Sequence, residues 1–546
     1  MKIINYLLFI LAVGGLHPYL YSQTTIVQNS TITQQQVFAN IDTLIIQNCQ
    51  FSNINGEAVR FSGIDYVEIS NCSFTNISNT ISTRAVICGK STSKILLKNL
   101  DLQNISGTAI RIPTDGASLL SDRVGTVIID SVNIYNCQST TSLLGDAIRI
   151  FHTDSLFVSN STLKKIDNMG IDIGRNSSTT QTAQKVNYCH INNNQIDSVL
   201  ADGIGAKENI DFALIENNTI TNIAYDGIGA RPADGDHGIY WQAPNAVIRN
   251  NFISQVKDGL VSGNYGLGIS LRTNATITNN TVSHCTGGGI GYFNDHPSNG
   301  NILITNNVVY DCMSQGIYMN GSNGNILNPN SVSHPDSVFV FHNTVLNEPI
   351  QTPMHLSAPM AFNSMTSKNY LAGNILIFET VIDTTKHIFT TNTSHLVKQY
   401  NHLVSGDIAF EDYPNRILQL TSSSTAVDLL PFGTTFVSYD ILNNLRTGNH
   451  DAGAYEFMIN TTGLSILSTE PHSIQFFPNP SQGQLHFNSF QKVSKLNIYD
   501  YMGRLIEKVK VNNTQGEIQI EHTGNIFFIQ IVFIDGITSI LKVYIE

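Results

Sequence analysis

Short apolar runs that alternate with polar residues recur along this chain, and many of them end in a pair of Asn residues. Four close copies of one phrase, Ile-x-Asn-Asn-x-(Ile/Val), begin at Ile215, Ile248, Ile277 and Ile304. Alternation at period two predicts β-strands, and Asn accepts the left-handed backbone that tight corners require. A strand-and-corner phrase that returns every few tens of residues predicts a solenoid.

The spacing of the phrase sets the size of one turn. Its first Asn stands at positions 217, 250, 279 and 306, so successive turns take 33, 29 and 27 residues. Looser copies extend the series in both directions, at Asn48, Asn71, Asn99, Asn160, Asn193, Asn343 and Asn374. Turns of this length resemble the right-handed parallel β-helix of the pectin-lyase type. The resemblance implies an all-β solenoid of about a dozen coils, which we assign to residues 23–400.

Stacked coils predict which side chains become neighbours. Coils about 4.8 Å apart place equal positions of successive phrases on top of one another. Inward Ile, Val, Leu and Phe then form apolar ladders, and the corner Asn amides can hydrogen-bond from coil to coil, so we interpret the Asn pairs as structural. Trp241, the only Trp, aligns with Leu271, Tyr292 and Met319, and we predict that it faces inward.

The beginning of the chain carries an export signal. We interpret residues 1–22 as a signal peptide, because Lys2 precedes a short apolar stretch, Ile3–Leu16. No later run reaches the ~18 apolar residues that a membrane helix needs. We therefore expect an exported protein without a membrane-spanning helix in the mature chain.

Residues 401–460 are predicted to cap the solenoid. The phrase fades there, and two segments, Ser423–Asp428 and Asn449–Glu456, resemble the closing segment of many bacterial β-helix proteins, with Ala452 where that family has Ile. Residues 461–471 follow as a linker that is rich in Thr, Ser and Gly.

Residues 472–546 differ in composition and predict a small β-sandwich-like domain. Phe476–Ser481, Ile498–Arg504 and a final basic and hydrophobic strand resemble the C-terminal sorting domain of the type IX secretion system. The resemblance implies that the type IX machinery is a partner and that the protein is secreted or attached to the outer-membrane surface.

Charge is sparse along the whole chain. Charged residues make up 13% of the sequence and the net charge is −12. A nucleic-acid-binding protein would be expected to carry a basic stripe, so nucleic acid is not an expected partner. An anionic sugar chain remains possible, because a local basic groove can lie on an acidic protein. We expect a monomer.

The seven Cys residues fall at repeating positions of the phrase. Cys49 and Cys72 are equivalent, and Cys285 and Cys312 lie one coil apart. The first interpretation is an inward ladder of free thiols that behave as small hydrophobes. The alternative is a disulfide between adjacent coils, whose Cα atoms could lie within the required distance. We favour the ladder.

Candidate chemistry lies on outward positions next to the Gly-Ile steps that follow each phrase. The first outward position holds Arg60, Arg111, Arg149, Asp172, Gly205, Tyr240, Ser270, Gly291 and Tyr318, and the second holds Lys207, Gln242, Arg272, Phe293 and Asn320. Arg recognises carboxylates and sulfates well, so Arg111, Arg149 and Arg272, with Asp172, are candidate substrate-binding residues. The alternative is a solvated face whose Arg stems cover apolar surface.

A loop inserted before Tyr240 concentrates titratable groups. It contains Arg231, Asp234, Asp236 and His237 within seven residues. The two Asp are candidate ligands for Ca²⁺, which prefers oxygen. His237 is a candidate base, and Tyr240 would point outward beside it. The alternative is that Asp-Gly-Asp simply forms a turn.

Two functions remain open from the sequence. The β-helix resemblance implies polysaccharide lyases, glycoside hydrolases and uronate epimerases. For β-elimination on an acidic glycan, the candidate catalytic residues are Lys207, Arg231, His237 and Tyr240. The polygalacturonase motif set is missing, and no lyase family's complete Lys-plus-Arg signature is present. The alternative is a surface adhesin or glycan-binding rod without catalysis.

Overall fold

The structure, a computed structural model, describes most of the chain. The described residues are 3–5, 23–78, 85–113, 122–139, 145–174, 185–226, 236–257, 266–294, 300–321, 335–347, 358–379, 387–431, 437–458, 474–477, 481, 483–500, 505–520, 525–534 and 538–545. By its internal contacts the chain divides into two units, Met1–Met458 and Ile459–Glu546. The predicted linker and most of the predicted signal peptide lie outside the described residues.

The first unit is a parallel solenoid whose coils contribute strands to three sheets, named A, B and C here. Sheet A contains the strands after the Gly-Ile steps: Ile110–Ile112, Ile148–Ile150, Ile171–Ile173, Ile204–Ala206, Ile239–Trp241, Leu267–Leu271, Gly288–Phe293, Ile317–Asn320, Met360–Asn363 and Ile388–Thr390. Each strand pairs in parallel with the equivalent strand of the next coil, for example Ile148 with Ile171 and Ile171 with Ile204.

Sheets B and C are formed by the two strands on either side of each Asn corner. Sheet B contains Thr24–Gln28, Thr153–Ser159, Val186–Asn192, Ile210–Glu216, Ala246–Arg249, Ala275–Thr278, Ile302–Thr305, Ser337–Phe341, Lys368–Ala372 and Leu396–Gln399. Sheet C contains Thr31–Ile32, Gln50–Ser52, Thr162–Ile166, Gln195–Val199, Thr219–Ile223, Phe252–Val256, Thr281–Ser283, Val308–Cys312, Thr344–Asn347, Ile375–Phe378 and His402–Val404. The predicted parallel β-helix is therefore confirmed.

The N-terminal coils have longer strands that run through more than one sheet. Gln36–Gln47 passes through sheets A and B, Val59–Ser78 and Ile87–Ser106 pass through all three, and Val124–Gln138 passes through B and C. Ile3–Asn5 pairs antiparallel with the first strand of sheet B. Among the described residues no helix is long and apolar enough to span a bilayer.

The core consists of the inward ladders that the alternation predicts. Trp241 is fully buried and lies in register between Ala206 and Leu271, so its predicted inward position is confirmed. All seven Cys are buried free thiols, which makes the disulfide interpretation wrong. The inward ladder is confirmed except at Cys88, which pairs with Arg60 and Arg111 at an outward position of sheet A. Burial raises the pKa of Cys72 to about 12, so this thiol stays protonated and unreactive at neutral pH.

The corner between sheets B and C carries an unbroken amide ladder. Its eight side chains are Asn194, Asn218, Asn251, Asn280, Asn307, Asn343, Asn374 and Asn401. Each Nδ2 donates to the Oδ1 of the next Asn at 2.8–3.0 Å. The preceding corner residue has left-handed backbone, with φ of 57° at Asn217 and 55° at Asn250. The predicted corner ladder is confirmed.

The end of the first unit packs along the side of the last coils. A 3-10 turn, Thr393–His395, precedes two antiparallel strands, Phe410–Asp412 and Ile417–Leu420. These strands and the segment up to residue 457 cover outward apolar side chains of sheet C, including Val308, Leu346 and Ile375. The closing phrase is held by Arg446, whose Nη1 contacts Glu456 Oε2 at 2.8 Å.

The second unit is an antiparallel five-stranded sheet. Its strands are Ile474–Phe477, Gln484–Asp500, Leu505–Gln519, Asn525–Phe533 and Thr538–Ile545. It has a core of its own, whose fully buried members include Leu485, Leu496 and Ile529. This all-β unit coincides with the segment in which the sequence indicates a sorting domain.

Candidate functional site

The outward row of sheet A is continuous from coil to coil. Backbone pairing aligns Arg60, Cys88, Arg111, Arg149, Asp172, Gly205, Tyr240, Ser270, Gly291 and Tyr318. The predicted alignment is confirmed. The row also contains Cys88, which the sequence analysis did not include because this position holds Cys where the neighbouring coils hold Arg60 and Arg111. The expectation of a solvated face is wrong for several rungs, because Arg111 and Asp172 are only 4% and 5% exposed.

The long connections of the solenoid lead into or out of the strands of sheet A. Sheets B and C are joined by a two-residue corner such as Asn217-Asn218. Connections that lead into or out of sheet A are longer, as between Ile223 of sheet C and Ile239 of sheet A. Insertions on one face of a solenoid frequently carry binding or catalysis. The longest insertions of the chain therefore stand next to the strands of sheet A in the sequence.

In the upstream half of the row, cations pair with acids of the same protein. Arg149 Nη1 lies 3.1 Å from Asp146 Oδ2, and its Nε lies 3.1 Å from Asp172 Oδ2. Burial opposes the charge, yet Asp172 and Asp146 raise the pKa of Arg149. Arg60 approaches Glu57 at 3.9 Å. The candidate binding residues Arg149 and Asp172 thus hold each other, which the sequence alignment alone did not predict.

Arg111 has a different environment from Arg149. Its guanidinium carbon lies 5.4 Å from the centre of the Phe151 ring, and the side chain is buried. A buried Arg over an aromatic face is stabilised by a cation–π interaction. In the upstream coils, Arg149 and Arg111 are therefore engaged in contacts within the protein, with carboxylates and with the Phe151 ring respectively, and do not line an open groove.

In the downstream half, the cations gather around Tyr240. Lys207 Nζ lies 5.0 Å from the centre of the Tyr240 ring, and Arg272 Cζ lies 5.2 Å from it. The His237 ring stacks on Tyr240 with centroids 5.4 Å apart and planes inclined by 10°. The structure thus brings together four of the residues selected from the sequence. We call Lys207, His237, Tyr240 and Arg272 the Tyr240 cluster.

An aromatic wall continues the Tyr240 cluster toward the next coils. Arg272 Cζ also lies 4.5 Å from the centre of the Phe293 ring, and Phe293 meets Tyr318 edge to face at 5.7 Å. Burial raises the pKa of Tyr318, so its phenol remains neutral at physiological pH. Sequence reasoning placed Phe293 in the second outward row without assigning it a role. Its alignment with Arg272, one coil earlier, was the feature of the sequence that could have indicated their contact.

The backbone sets the tautomer of the His237 ring when the ring is neutral. The Leu267 amide donates a hydrogen bond to His237 Nδ1 at 3.0 Å. In the neutral ring the proton must then be on Nε2, which becomes a hydrogen-bond donor. The role of His237 as a base stays a prediction, and in this geometry protonation of Nδ1 would have to break the bond from Leu267. The ring can instead donate a hydrogen bond.

Two neighbours complete the surroundings of Tyr240. Gln242 Nε2 donates to the Tyr240 hydroxyl at 2.5 Å. The Asp202 carboxylate accepts the backbone N–H of His237 at 2.9 Å and so holds the inserted loop at its C-terminal end. A Cβ at Gly205 would meet Met169 Cε at 2.7 Å, so a larger residue beside Tyr240 in the row would require the end of the Met169 side chain to move.

The remaining loop candidates have different outcomes. Arg231 and Asp234 lie outside the described residues. Asp236 is described and is fully buried. Within the described ranges, no group of three or more His, Cys, Asp or Glu side chains is placed to hold a metal ion. The Ca²⁺ assignment to Asp234 and Asp236 therefore stays a prediction.

Family models match both units of the chain. The model of the right handed beta helix region matches residues 19–186 and 180–347. The model of the secretion system C-terminal sorting domain matches residues 475–540. This tail indicates a protein that is secreted or attached to the cell surface through the type IX secretion machinery, as the sequence predicted.

Solved structures with a similar fold are distant in sequence. Pectate lyase Pel9A is 12% identical, with 66% of this chain and 88% of that chain covered and a TM-score of 0.38. Periplasmic alginate epimerase AlgG is 9% identical over 70% and 85%, with a TM-score of 0.34. The Dettilon tailspike protein is 13% identical over 54% and 61%, with a TM-score of 0.29. Among curated proteins no sequence matches significantly. At such scores these structures carry no argument about activity.

Proposed function

This chain belongs to the right-handed β-helix family, and from that premise we propose that sheet A binds an acidic polysaccharide and cleaves it by β-elimination. The site is the Tyr240 cluster. One observation carries the proposal: Lys207 and Arg272 both approach the same exposed side of sheet A at the Tyr240 ring, within 5.0 and 5.2 Å of its centre. An amine, a guanidinium and a phenol together supply what the reaction needs.

Each residue of the cluster has a role set by its chemistry. Arg272 pairs with the uronate carboxylate and lowers the cost of negative charge at the adjacent carbon. Lys207, as the neutral amine, removes the proton from C5 of the uronate. The electron pair of that C–H bond forms the double bond between C4 and C5 as the C4–O bond breaks. Tyr240 gives its phenolic proton to the leaving oxygen.

His237 assists without transferring the proton. With its proton on Nε2, the ring can donate a hydrogen bond to the carboxylate that Arg272 neutralises. This role replaces the base role that the sequence suggested. Arg231, on the inserted loop, stays a candidate to bind the same carboxylate. Whether the reaction requires Ca²⁺ is tested by running the assay with and without this ion.

The test is an activity assay on defined acidic glycans. The purified protein is incubated with alginate, pectin and glycosaminoglycans, with and without Ca²⁺, and the absorbance of unsaturated uronate ends is followed. We expect a rise with at least one of them. Release of reducing ends without that absorbance would indicate hydrolysis. Binding without either product would favour the glycan-binding rod, and neither binding nor products would remove the proposal for these glycans.

A further inference from the structure

The outer face of sheet B carries an apolar stripe that runs along the solenoid. Backbone pairing places one outward residue per coil in line: Ile26, Ile45, Glu68, Leu96, Ile128, Phe157, His190, Leu214, Val247, Thr276, Leu303, Phe339, Tyr370 and Val397. All but Glu68, His190 and Thr276 are apolar or aromatic. Every one of them is partly exposed, up to 41% at Val397. At ~4.8 Å per coil the stripe is about 60 Å long.

Aromatic rings gather at two places on this stripe. Near its middle, Phe157 contacts Tyr188 at 5.7 Å, and Tyr188 stacks on Phe212 at 5.9 Å with planes inclined by 9°. Toward the C-terminal coils, Phe339 stacks on Tyr370 at 5.1 Å and 11°. Phe212 is 40% exposed. A soluble protein rarely leaves so long an apolar line open without a binding role.

The rows on both sides of the stripe are mostly polar. On one side lie Lys94, Thr126 and Ser155, followed in the same row by the rings of Tyr188 and Phe212, and on the other lie residues such as Lys98, Asn192, Glu216 and Arg249. Charges on these rows neutralise one another, since Lys98 approaches Asp130 at 4.0 Å and Arg249 Nη2 approaches Glu216 Oε2 at 2.6 Å. For most of its length the apolar surface is thus one side chain wide, with hydroxyls, amides and balanced charges beside it.

We propose that this stripe binds a neutral polysaccharide chain laid along the solenoid axis. A pyranose ring has an apolar C–H face that packs on aromatic rings, whose faces are electron-rich, and hydroxyls at its edge that suit the polar rows. A second copy of the protein would need a broad apolar core inside a polar rim, whereas this surface is one residue wide except where Tyr188 and Phe212 widen it to two. On the flank that carries Lys98 and Arg249 the cations are paired with Asp130 and Glu216, so this flank offers an anionic polymer no excess of positive charge.

This surface lies on sheet B and the Tyr240 cluster on sheet A, so the two sites are tested separately. The experiment is affinity electrophoresis of the full chain through gels that contain mixed-linkage β-glucan, xyloglucan or galactomannan, at low and high salt. One variant combines Phe157→Thr with Phe212→Thr, and a second combines Phe339→Thr with Tyr370→Thr. Thr is a good strand former and already occupies the stripe at Thr276.

We expect at least one glycan to retard the wild-type protein independently of salt, and each double variant to weaken that binding about tenfold. Tyr135→Thr, which removes an outward ring from sheet C, and Lys207→Met should leave it unchanged. Wild-type protein that no neutral glycan retards, or retardation that survives both double variants, would overturn the proposal. So would light scattering that shows a wild-type dimer which the variants dissociate. Turnover of acidic glycans should persist in the double variants.

Discussion

The two halves of the sheet A row use the same kind of residue in opposite ways. Upstream, Arg149 lies between two carboxylates, Asp146 and Asp172, at 3.1 Å from each. Downstream, Arg272 lies over two rings, Tyr240 and Phe293, at 5.2 and 4.5 Å. An Arg whose donors are directed at buried carboxylates stabilises the coil stack. An Arg laid on aromatic faces is held there by cation–π contacts.

This difference places the candidate chemistry in one half of the row. The two carboxylates around Arg149 are almost fully buried, so a substrate carboxylate would have to displace an existing ion pair and leave a buried acid uncompensated. Around Tyr240 a new carboxylate would add to contacts between cations and rings. The comparison therefore predicts that upstream substitutions change stability and downstream substitutions change activity.

The largest expected effect is on turnover by a Lys207 variant. Lys207→Met removes the proposed base and keeps the length of the side chain. We expect turnover of the acidic glycan to fall by about 10²–10⁴-fold, the usual contribution of general base catalysis, with little change in stability. Initial rates of unsaturated uronate formation measure the effect.

The matched control for this variant lies on sheet C. Lys164→Met makes the same change in charge at an exposed position where Lys164 Nζ pairs with Asp197 at 2.8 Å. It should retain wild-type turnover. Equal rates for Lys207→Met and Lys164→Met would remove Lys207 from the mechanism.

A stability effect is expected from the upstream half. Arg149→Met leaves Asp146, fully buried, and Asp172 without their shared cation. Removing one partner of a buried ion pair costs about 3 kcal/mol in the free energy of unfolding. Urea denaturation followed by circular dichroism measures it. Turnover per folded molecule should be unchanged.

A more exposed ion pair provides the comparison for Arg149. Arg123 contacts Asp154 at 2.5 Å, and the Asp154 side chain is 52% exposed. Arg123→Met should cost less than about 1 kcal/mol, because exposed pairs contribute little. If Arg149→Met instead lowered turnover as strongly as Lys207→Met with no loss of stability, the division of the row would be wrong.

A smaller effect is expected from Arg272. Arg272→Leu removes the cation and keeps an apolar side chain against Tyr240 and Phe293. Loss of one cation–carboxylate contact should raise KM about tenfold, equivalent to roughly 1.4 kcal/mol. The remaining binding should depend less on salt, since one charge no longer contributes. Michaelis–Menten kinetics at two ionic strengths measure both changes.

Phe293→Leu separates the ring from the charge. This variant keeps Arg272 and its contact with Tyr240, so KM should rise by less than in Arg272→Leu and the salt dependence should stay at the wild-type level. A KM for Arg272→Leu equal to that of the wild type at both salt concentrations would show that Arg272 does not meet the substrate.

The fold could be predicted because every coil of the solenoid repeats the same sequence pattern. In a stacked coil, equal positions of the phrase become neighbours, so the Asn ladder, the inward Trp241 and the outward row of sheet A all followed from alignment. The free Cys ladder followed from the same reasoning. These features need no knowledge of any contact beyond the next coil.

The site could be predicted only in part, because its contacts depend on the conformations of individual side chains, which the sequence pattern does not determine. Asp146 lies two residues before the strand Ile148–Ile150. Nothing in the spacing of the sequence indicated that its carboxylate would contact Arg149. The bond from the Leu267 amide to His237 Nδ1 joins two coils through a long insertion, which the alignment could not place. Arg231 and Asp234, on that insertion, stay predictions.

The stripe on sheet B was present in the sequence but was not recognised. Leu96, Ile128 and Phe157 stand at equal positions of successive coils, yet the alternation gave no reason to follow that row. The candidate residues for chemistry stand after the Gly-Ile steps, and these positions belong to sheet A alone. An apolar outward residue becomes informative only when the whole row is aligned by backbone pairing.

The most direct measurement is a crystal structure of the full-length Lys207→Met variant soaked with an oligosaccharide of the acidic glycan that the wild-type protein cleaves. We predict that a uronate ring lies across Tyr240, that its carboxylate pairs with the Arg272 guanidinium, and that the Arg149 ion pairs remain intact. An oligosaccharide bound at Arg111 and Arg149 with their internal contacts broken, or bound away from sheet A altogether, would contradict the account.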